Sequence, residues 1–254
     1  MRFKVVIPAR FASQRLPGKP LALIQGKPLI LHVCERARES GAEQVVVATD
    51  DGRIQDVCRE AGVDVQLTSA DHPSGTDRIA EVSQQSGWDA DEIVVNLQGD
   101  EPLMPSSAIR QVAELLNDQS DSQLATLCTP VISVDELLDP NVVKVVVDRS
   151  SRALYFSRAP IPWNRDGAGQ DLSSQRQWHG AFRHIGLYAY RVLTLNRLTQ
   201  LPACELEQLE KLEQLRALWN GMKIAVAVAQ QVPGPSVDTR DDLERVTALM
   251  AQRL

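Results

Sequence analysis

Two kinds of hydrophobic pattern alternate along the first 120 residues. Short runs rich in β-branched residues predict buried strands, and stretches with apolar residues at every third or fourth position predict amphipathic helices. The strand-like runs are FKVVIP, QVVVATD, VDVQLTS and EIVVNLQGDEP, and the helix-like stretches are PLILHVCERARESG, GRIQDVCREAG and TDRIAEVSQQSG. Connections of this length are too long for hairpins, so the pattern predicts a largely parallel sheet covered by helices.

The pattern changes after about residue 120. Strand-like runs now follow one another with little helix between them, namely QLATLCTPV, NVVKVVVD and ALYFSRAPIPW, which predicts a mixed extension of the sheet. Residues 164–178 are polar and contain Gly and Ser, so we expect an exposed loop or flap there. Leucines at every third position in ELEQLEKLEQLRALW predict one well-buried helix, and DTRDDLERVTALMAQRL predicts a last helix.

The composition is that of a globular protein. With 254 residues, 43% of them hydrophobic and 24% charged, the chain can form one sizeable α/β domain. A net charge of -6 and the lack of a long basic run argue against a nucleic-acid-binding surface. No apolar segment is long enough to cross a bilayer, and the N-terminus does not resemble a signal peptide. We therefore expect a cytoplasmic protein with neither a nucleic acid nor a membrane as partner.

The four cysteines offer no metal or disulfide pattern. Cys34, Cys58, Cys128 and Cys204 are far apart in the sequence, with no C-x-x-C pair and no histidine at ligand spacing. We expect reduced and mostly buried thiols.

Three cations follow the first predicted strand within VVIPARFASQRLPGKPL. Arg10, Arg15 and Lys19 stand among small residues such as Ser13, which allow backbone N–H groups to approach a ligand. Neither a Walker A loop nor a G-x-G-x-x-G fingerprint is present. One interpretation is that these cations converge on a triphosphate. The alternative is a solvated surface loop, because charged residues are usually exposed.

Two aspartates are candidates for holding a divalent cation. Asp100 follows a glycine at the end of a predicted strand in NLQGDEP, and Asp238 precedes the last predicted helix. Carboxylate oxygens suit Mg²⁺, and substrate phosphates can complete its coordination. Each residue also has a structural interpretation, since Asp100 can cap a turn and Asp238 can be the N-cap of the helix beginning near Thr239 or Arg240. Only their combination favours a metal site.

The segment HPSGTDR predicts a turn followed by a helix N-terminus. Thr76 or Asp77 can cap this helix, which is sufficient as a structural role. A glycine at this point, Gly75, also lets a base or sugar approach the free amides. His72 has no partner at ligand spacing, and we do not assign it a role.

Several of these motifs together resemble one enzyme family. They are VIPARFASQRLPGKPL, HPSGTDR, VNLQGDEP, LYFSRAPIPW, RHIGLYAYR, LEKLEQLR and PGPSVDTRDDLERV, in order from residue 5 to about residue 246. This ordered set is similar to the CMP-KDO synthetases, the 3-deoxy-manno-octulosonate cytidylyltransferases of Gram-negative bacteria. Such coverage is far more specific than any single motif.

The resemblance implies both a fold and a reaction. The fold is the Rossmann-like nucleotide-diphospho-sugar transferase fold, a three-layer αβα arrangement with a mixed, mostly parallel central sheet. The chain would be a single domain, with a CTP-binding part over residues 1–120 and a sugar-binding and dimerisation part over residues 121–254. As a homodimer it would use CTP and Mg²⁺ to transfer CMP to 3-deoxy-D-manno-octulosonate (KDO), releasing pyrophosphate and giving CMP-KDO for lipopolysaccharide biosynthesis.

The resemblance also implies the site residues, by position in the matching motifs. Catalytic roles would belong to Arg15, Lys19 and Asp100. CTP would be bound by Arg10, Ser13, Arg15, Lys19, Ser74, Gly75, Asp77, Arg78 and Gln98. The sugar would be bound by Arg158, Arg165, His184, Tyr188, Glu213 and Gln214, and magnesium by Asp100 and Asp238.

The chain departs from the family pattern at few positions. Gln14 stands where we expect Thr, Asp77 where Glu is common, and the loop 166–178 has its own length and composition. None of these differences removes a proposed catalytic group. The loop difference leaves the fit of the sugar open, and 8-amino-KDO is an alternative substrate.

Two other functional classes stay open at this point. A glycosyltransferase of related fold would bind an already activated nucleotide sugar, and a catalytically silent module would only bind a nucleotide. The intact RLPGKP loop favours a free triphosphate, because Lys19 has little to bind without a β or γ phosphate. The retained Asp100 and Asp238 argue against a silent module.

Overall fold

The strands of the protein form around the apolar runs of the sequence. The computed structural model describes residues 1–13, 15–166 and 176–252. Its strands are β1 (Lys4–Ala9), β2 (Leu23–Ile24), β3 (Lys27–Pro28), β4 (Gln44–Thr49), β5 (Asp64–Leu67), β6 (Ile93–Asn96), β7 (Leu124–Pro130), β8 (Lys144–Val147), β9 (Ala153–Ser157), β10 (Phe182–Arg191) and β11 (Ile224–Val228).

The helices occupy most of the connections between these strands. A 3₁₀ turn spans Lys19–Leu21. The α-helices are α1 (Leu29–Glu39), α2 (Gly52–Glu60), α3 (Gly75–Gln85), α4 (Ser106–Asp118), α5 (Val134–Leu138), α6 (Val192–Gln200), α7 (Glu205–Glu210), α8 (Gln214–Trp219) and α9 (Arg240–Ala251). Over the described part of the chain, none of these helices has the length and apolar character to cross a membrane.

The main sheet is mixed and mostly parallel, as the sequence predicts. Its strand order is β11-β7-β10-β6-β1-β4-β5, and β8 and β9 extend it from β10. The pairs β1–β4, β1–β6, β4–β5 and β7–β11 are parallel, whereas β10 runs antiparallel to both β6 and β7. Strands from both sides of residue 120 thus share one sheet. The predicted division of roles at that residue stays a prediction.

Helices cover both faces of this sheet, which gives the predicted αβα layers. Alternate residues of β1 belong to different apolar clusters, because successive side chains of a strand point to opposite faces. Val5 and Ile7 pack with residues of α1 and α4, and Val6 packs with residues of α3 and α6. Burial on both faces explains why β1 reads as a continuous apolar run.

The candidate functional residues lie along one edge of the sheet, the edge formed by the carboxyl ends of its parallel strands. β1 and β6 are parallel and end at this edge, and the antiparallel β10 begins there. Gly99 lets the loop after β6 cross the end of β1, since a Cβ atom at Gly99 would lie only 2.9 Å from the carbonyl oxygen of Pro8. Ligands of open α/β sheets bind at such carboxyl ends.

The prediction of one buried helix over ELEQLEKLEQLRALW is wrong. The segment forms two short helices, α7 and α8, separated at Lys211, whose φ of 54° is left-handed. Helix α7 has no buried residue, and Leu209 is 78% exposed. Leucines three residues apart fit both arrangements. The break turns the chain so that Gln214 begins a new helix and becomes buried.

A buried lysine connects two segments of the chain near this edge of the sheet. Lys144 is fully buried, and its ammonium donates to the carbonyl oxygens of Asp139 at 2.8 Å, Val142 at 2.5 Å and Arg158 at 2.8 Å. Burial lowers the pKa of this ammonium. Three carbonyl oxygens replace the water that it loses, and they tie the loop before β8 to the end of β9.

We predict that Lys144→Met destabilises the protein by about 3 kcal/mol, because three backbone carbonyls lose their donor. Urea unfolding followed by circular dichroism measures the change. The matched control is Lys223→Met, which removes a half-exposed lysine paired with Asp121 and is expected to change the free energy of unfolding by less than about 0.5 kcal/mol. Equal losses in the two variants would contradict this account of Lys144.

Candidate functional site

Three charged side chains from distant parts of the sequence meet at the carboxyl edge of the sheet. The ammonium of Lys19 lies 2.7 Å from Asp100 Oδ2 and 3.1 Å from Asp238 Oδ1. Arg15 adds a second cation, 3.1 Å from Asp238 Oδ2. We call these four residues the charged cluster. It unites both candidate metal ligands with two of the three cations of the first loop.

The electrostatics of the charged cluster keep Lys19 protonated. Burial alone lowers the pKa of its ammonium, but the charges and hydrogen bonds of Asp100 and Asp238 outweigh this effect and raise the pKa above its usual value. Each carboxylate accepts a hydrogen bond from the same ammonium through one of its oxygens. The cation thereby offsets the repulsion between two neighbouring negative charges.

Local backbone geometry places Lys19 in the cluster. Gly18 has a φ of 69°, a left-handed conformation that glycine adopts without strain, and its N–H donates to the carbonyl oxygen of Phe11 at 3.1 Å. The chain thus turns back on itself after β1, and Lys19 begins the 3₁₀ turn directly afterwards. Ser13 lies in the same turn, where its N–H donates to the Phe11 carbonyl at 2.9 Å.

Asp238 is free to join the cluster because a neighbour caps the last helix. Thr239 is the N-cap of α9, and it forms a capping box with Asp242. The alternative interpretation of Asp238 as N-cap is therefore wrong. A backbone hydrogen bond of 2.9 Å from the N–H of Val237 to the carbonyl oxygen of Asp100 holds the two aspartate segments side by side.

The third cation of the first loop points elsewhere. The guanidinium of Arg10 donates to the backbone carbonyl of His72 at 2.5 Å. The imidazole of His72 pairs with Glu81 on α3. Arg10 therefore connects the loop after β1 to the segment before α3. Gln14 falls outside the described residues.

The N-terminus of α3 forms a second group of predicted residues. Ser74 is the N-cap of this helix and accepts from the Asp77 N–H at 3.2 Å, while its hydroxyl donates to the Asp77 carboxylate at 2.5 Å. Gly75 packs against β1, since a Cβ atom there would lie 3.3 Å from Pro8 Cγ and 3.9 Å from Gln98 Oε1. Ser74, Gly75, Asp77 and Gln98 are thus brought together.

Arg78 takes a different position from its predicted neighbours on α3. Its side chain is fully buried, pairs with Asp50 at 2.9 Å and donates to the hydroxyl of Thr68. The helix directs it inward while Ser74 and Asp77 stand at the open end. This arrangement joins α3 to the ends of β4 and β5, and binding of CTP by Arg78 stays a prediction.

A cavity of about 860 Å³ opens beside the charged cluster. It is lined on one side by Glu101, the residue after Asp100, and on another by Ser236, two residues before Asp238. Three of the predicted sugar ligands also line it, namely His184, Tyr188 and Gln214. The cavity therefore brings half of the predicted sugar set next to the predicted metal ligands.

His184 is a neutral residue in this cavity. Burial lowers the pKa of its imidazole to about 3. The hydroxyl of Thr126 lies 3.0 Å from His184 Nε2 and 2.8 Å from the carbonyl oxygen of Leu187. A hydroxyl has one proton, and carbonyls accept only, so His184 Nε2 donates to Thr126. The other ring nitrogen, Nδ1, is then an acceptor.

Tyr188 has a buried hydroxyl beside His184. Its ring centroid is 5.3 Å from that of His184, and its hydroxyl has no hydrogen bond of normal geometry. Burial raises its pKa, so the group is neutral. Tyr188 therefore contributes a neutral aromatic side chain to the cavity wall.

The other predicted sugar ligands do not line the cavity. Arg158 donates from Nε to the carbonyl oxygen of Glu210 at 2.7 Å and from its Nη1 atom to that of Pro140 at 2.9 Å. Arg165 is exposed. Glu213 lies instead near the start of α3, where burial raises the pKa of its carboxyl and the hydroxyls of Thr76 and Ser74 oppose part of the rise.

Three charged residues of the cavity are missing from the sequence prediction, namely Glu101, Arg183 and Arg245. Burial and the charges of Asp100 and Asp238 raise the pKa of Glu101 to about 7. Arg183, on β10, lies 3.2 Å from Glu136. Glu101 and Arg183 are sequence neighbours of the predicted residues Asp100 and His184, within NLQGDEP and RHIGLYAYR. This adjacency was the signal that could have found them. Adjacent side chains of a regular strand point to opposite faces, so the pattern did not predict that Arg183 lines the same cavity as His184.

The donor set of the charged cluster suits a hard divalent cation. Asp100 and Asp238 provide carboxylate oxygens, and magnesium is usually held by one or two carboxylates together with substrate phosphates. The described residues contain no group of three or more His, Cys, Asp or Glu side chains arranged for a metal. A site completed by a phosphate substrate fits these residues better than an all-protein metal cage does.

Sequence comparison places the chain among known cytidylyltransferases. A family model described as cytidylyltransferase matches residues 4–224. The chain is 58% identical over 250 residues to the 3-deoxy-manno-octulosonate cytidylyltransferase of Thioalkalivibrio sulfidiphilus, covering 98% of this chain and 99% of that protein. It is 57% identical to the protein of the same name from Alkalilimnicola ehrlichii, over 254 residues that cover 99% and 97% of the two chains.

Structural comparison agrees with this result. A solved structure of CMP:2-keto-3-deoxy-manno-octonic acid synthetase complexed with CTP is 44% identical, with a TM-score of 0.89 and complete coverage of both chains. A cytidylyltransferase from Leptospira borgpetersenii, 18% identical with a TM-score of 0.63, covers 100% of this chain and 88% of its own and shares the fold. The resemblance seen in the motifs is confirmed, and the chain belongs to the 3-deoxy-manno-octulosonate cytidylyltransferase family.

Proposed function

We propose that this protein transfers CMP from CTP to KDO, releasing pyrophosphate and giving CMP-KDO for lipopolysaccharide biosynthesis. The observation that carries the proposal is the position of the charged cluster, which joins a loop suited to phosphates to a cavity large enough for a sugar. Relatives at 57–58% identity bear the name of this activity, and the solved neighbour at 44% identity is a complex with CTP. A glycosyltransferase or a silent module has no comparable support.

The reaction requires positioning more than covalent help from the protein. The anomeric hydroxyl of the sugar loses its proton, its oxygen bonds to the α-phosphorus, and the bond from that phosphorus to pyrophosphate breaks. Negative charge spreads over the phosphates as this happens. Enzymes accelerate such a displacement mainly by aligning the reactants and by placing positive charge where negative charge develops.

Residues of the first loop would supply that positive charge. Lys19 and Arg15 are the cations of the charged cluster and would bind the departing pyrophosphate, with Arg10 and Ser13 in the same loop. Binding of a phosphate by Lys19 exchanges its contacts with Asp100 and Asp238 for contacts of the same kind. The two carboxylates would then have oxygen atoms free for another cation.

We propose that this other cation is Mg²⁺, held by Asp100 and Asp238. When bound, magnesium neutralises phosphate charge and polarises the phosphoryl oxygens. The carboxylates do not otherwise have a role in a reaction between an anionic sugar and an anionic nucleotide. Their presence beside a phosphate-binding loop is the support for this assignment.

The nucleoside and the sugar would occupy the two sides of the charged cluster. Ser74, Gly75, Asp77 and Gln98 lie around the open end of α3, where free amides can face the cytidine. On the cavity side, His184, Tyr188 and Gln214 line the same wall and would face the sugar. Arg158, Arg165 and Glu213 keep their proposed roles in sugar binding on the family resemblance alone.

Assembly and location are also proposals. The family resemblance supports a homodimer in the cytoplasm, with residues 121–254 contributing sugar binding and dimerisation. CTP and KDO are the proposed small-molecule partners, and we propose neither a nucleic acid nor a membrane as partner.

Pyrophosphate release by the purified protein tests the function directly. We expect release with CTP, KDO and Mg²⁺, and much slower release with UTP, ATP or GTP, because the base must fit the open end of α3. A reaction without sugar is the control for hydrolysis of the nucleotide. A parallel reaction with 8-amino-KDO shows which octulosonate is preferred. Folded protein that releases no pyrophosphate with either sugar and any nucleotide would contradict the proposal.

The metal assignment predicts a large loss in two variants. Asp100→Asn and Asp238→Asn should each lower the rate of pyrophosphate release at least about 100-fold, because each removes negative charge that holds the cation. Magnesium titrations of both variants should saturate at higher concentration than for the wild type.

The matched control for these variants is Asp241→Asn. It makes the same chemical change three residues after Asp238, on an exposed side chain in the first turn of α9. Its rate and magnesium dependence should equal those of the wild type. Near-normal turnover of Asp100→Asn would remove Asp100 from the metal site.

A further inference from the structure

The chemistry of the sugar places its carboxylate close to the reacting atom. In a 2-keto-3-deoxy acid, ring closure at the keto group makes C2 the anomeric carbon, so C2 carries both the attacking hydroxyl and the carboxylate. This step rests on the proposed function. The cation that receives the carboxylate must therefore stand within the cavity, on the side nearest the charged cluster.

Two arginines lie within the cavity. Among the described residues that line the cavity, the positively charged side chains are Arg183 and Arg245. The predicted sugar ligands Arg158 and Arg165 are not in this lining. Arg158 already directs two of its guanidinium nitrogens to backbone carbonyls outside the cavity wall. The cavity itself therefore gives a choice of two cations.

Arg183 also lies at the carboxyl end of the sheet, as the charged cluster does. It lies on β10 next to His184, beyond the carboxyl end of β6, whose last residue is paired with Tyr188. It lines the same cavity as Glu101, the residue that directly follows Asp100. The cavity that contains Arg183 therefore opens beside the charged cluster.

The surroundings of Arg183 hold it in place without hiding it. Its side chain is 34% exposed and pairs with Glu136 at 3.2 Å. Glu136 is itself fixed, because its carboxylate accepts from the backbone N–H of Ile132 at 2.8 Å. The backbone of Arg183 is paired on both sides, with Thr129 of β7 and Lys144 of β8. A cation fixed in this way loses little freedom when it binds a ligand.

Arg245 is less suited to this role. Its side chain is 59% exposed and pairs at 2.9 Å with Asp242, three residues before it on the same helix. An exposed pair of this kind is solvated and contributes little to the recognition of an anion. The comparison favours the half-buried arginine on the sheet.

We propose that Arg183 is the specificity-determining residue that binds the carboxylate of the acid sugar. A guanidinium suits this task because its planar donors match the two oxygens of a carboxylate. The ion pair would direct the C1 group toward β10 and the neighbouring C2 hydroxyl toward the charged cluster. Neutral sugars of similar size would then bind poorly, since they have no negative charge to pair with Arg183.

A cycle between the protein and the substrate tests this contact. Pyrophosphate release is measured for wild type and Arg183→Gln, each with KDO and with its C1 carboxamide, a neutral analogue of similar shape. We expect Arg183→Gln to raise the KM for KDO about 10- to 100-fold, as for a lost charged hydrogen bond. The KM for CTP should stay within about twofold, a split that a general structural defect does not produce.

The carboxamide distinguishes direct contact from indirect effects. The wild type should discriminate strongly against the amide, and Arg183→Gln should discriminate against it much less, so that the two changes are not additive. If the losses simply add, the carboxylate is bound elsewhere and the proposal is wrong. Absence of pyrophosphate release from the wild type would instead overturn the proposed function, and this inference with it.

Two further variants complete the test. Arg245→Gln removes the other cation of the cavity and should leave the KM for KDO within about twofold, whereas a larger effect than that of Arg183→Gln would overturn the assignment. Arg183→Lys keeps the charge but loses the planar fork, so it should recover part of the discrimination. If Arg183→Gln fails to fold, Arg183→Lys takes its place in the same comparison of KDO with its carboxamide.

Discussion

The site depends on one ammonium group shared by two carboxylates. Asp100 and Asp238 lie 81 and 219 positions from Lys19 in the sequence, yet both contact its Nζ atom. Without the lysine, two neighbouring negative charges would repel each other and separate the segments that carry them. The ion pairs therefore hold the loop after β1, the loop after β6 and the segment before α9 around one point. The cavity opens beside that point, so the same interaction sets where phosphate and sugar can meet.

The sheet makes this convergence possible. Because β1 and β6 are parallel neighbours, the loops that follow them emerge at one edge, and the antiparallel β10 brings its first residues to the same edge. Buried polar groups then fix the walls around the site. Lys144 ties the loop before β8 to the end of β9, and Thr126 orients the imidazole of His184. These groups keep the binding residues in place before any substrate arrives.

Periodicity predicted the strands and the layers because both faces of the sheet are buried and its strands read as continuous apolar runs. It failed where a local turn decided the structure. The break at Lys211 depends on one left-handed residue, and the leucine spacing around it fits a continuous helix equally well. Within the site, the cluster of Lys19, Asp100 and Asp238 follows from strand ends and motifs. The inward turn of Arg78 and the place of Arg183 depend on tertiary contacts, which the sequence pattern does not contain.

Binding of Mn²⁺ as a spectroscopic substitute for Mg²⁺ tests most directly whether the shared ammonium governs the site. Electron paramagnetic resonance would measure the Kd of Mn²⁺ with and without a non-hydrolysable CTP analogue, for wild type and for the double variant Asp100→Asn, Asp238→Asn. The account predicts that the wild type binds Mn²⁺ tightly only when the nucleotide is present, because phosphate then draws Lys19 away from the carboxylates. The double variant should bind Mn²⁺ only weakly beyond what the nucleotide itself binds. Equally tight binding by the wild type without nucleotide, or unchanged binding by the double variant, would contradict it.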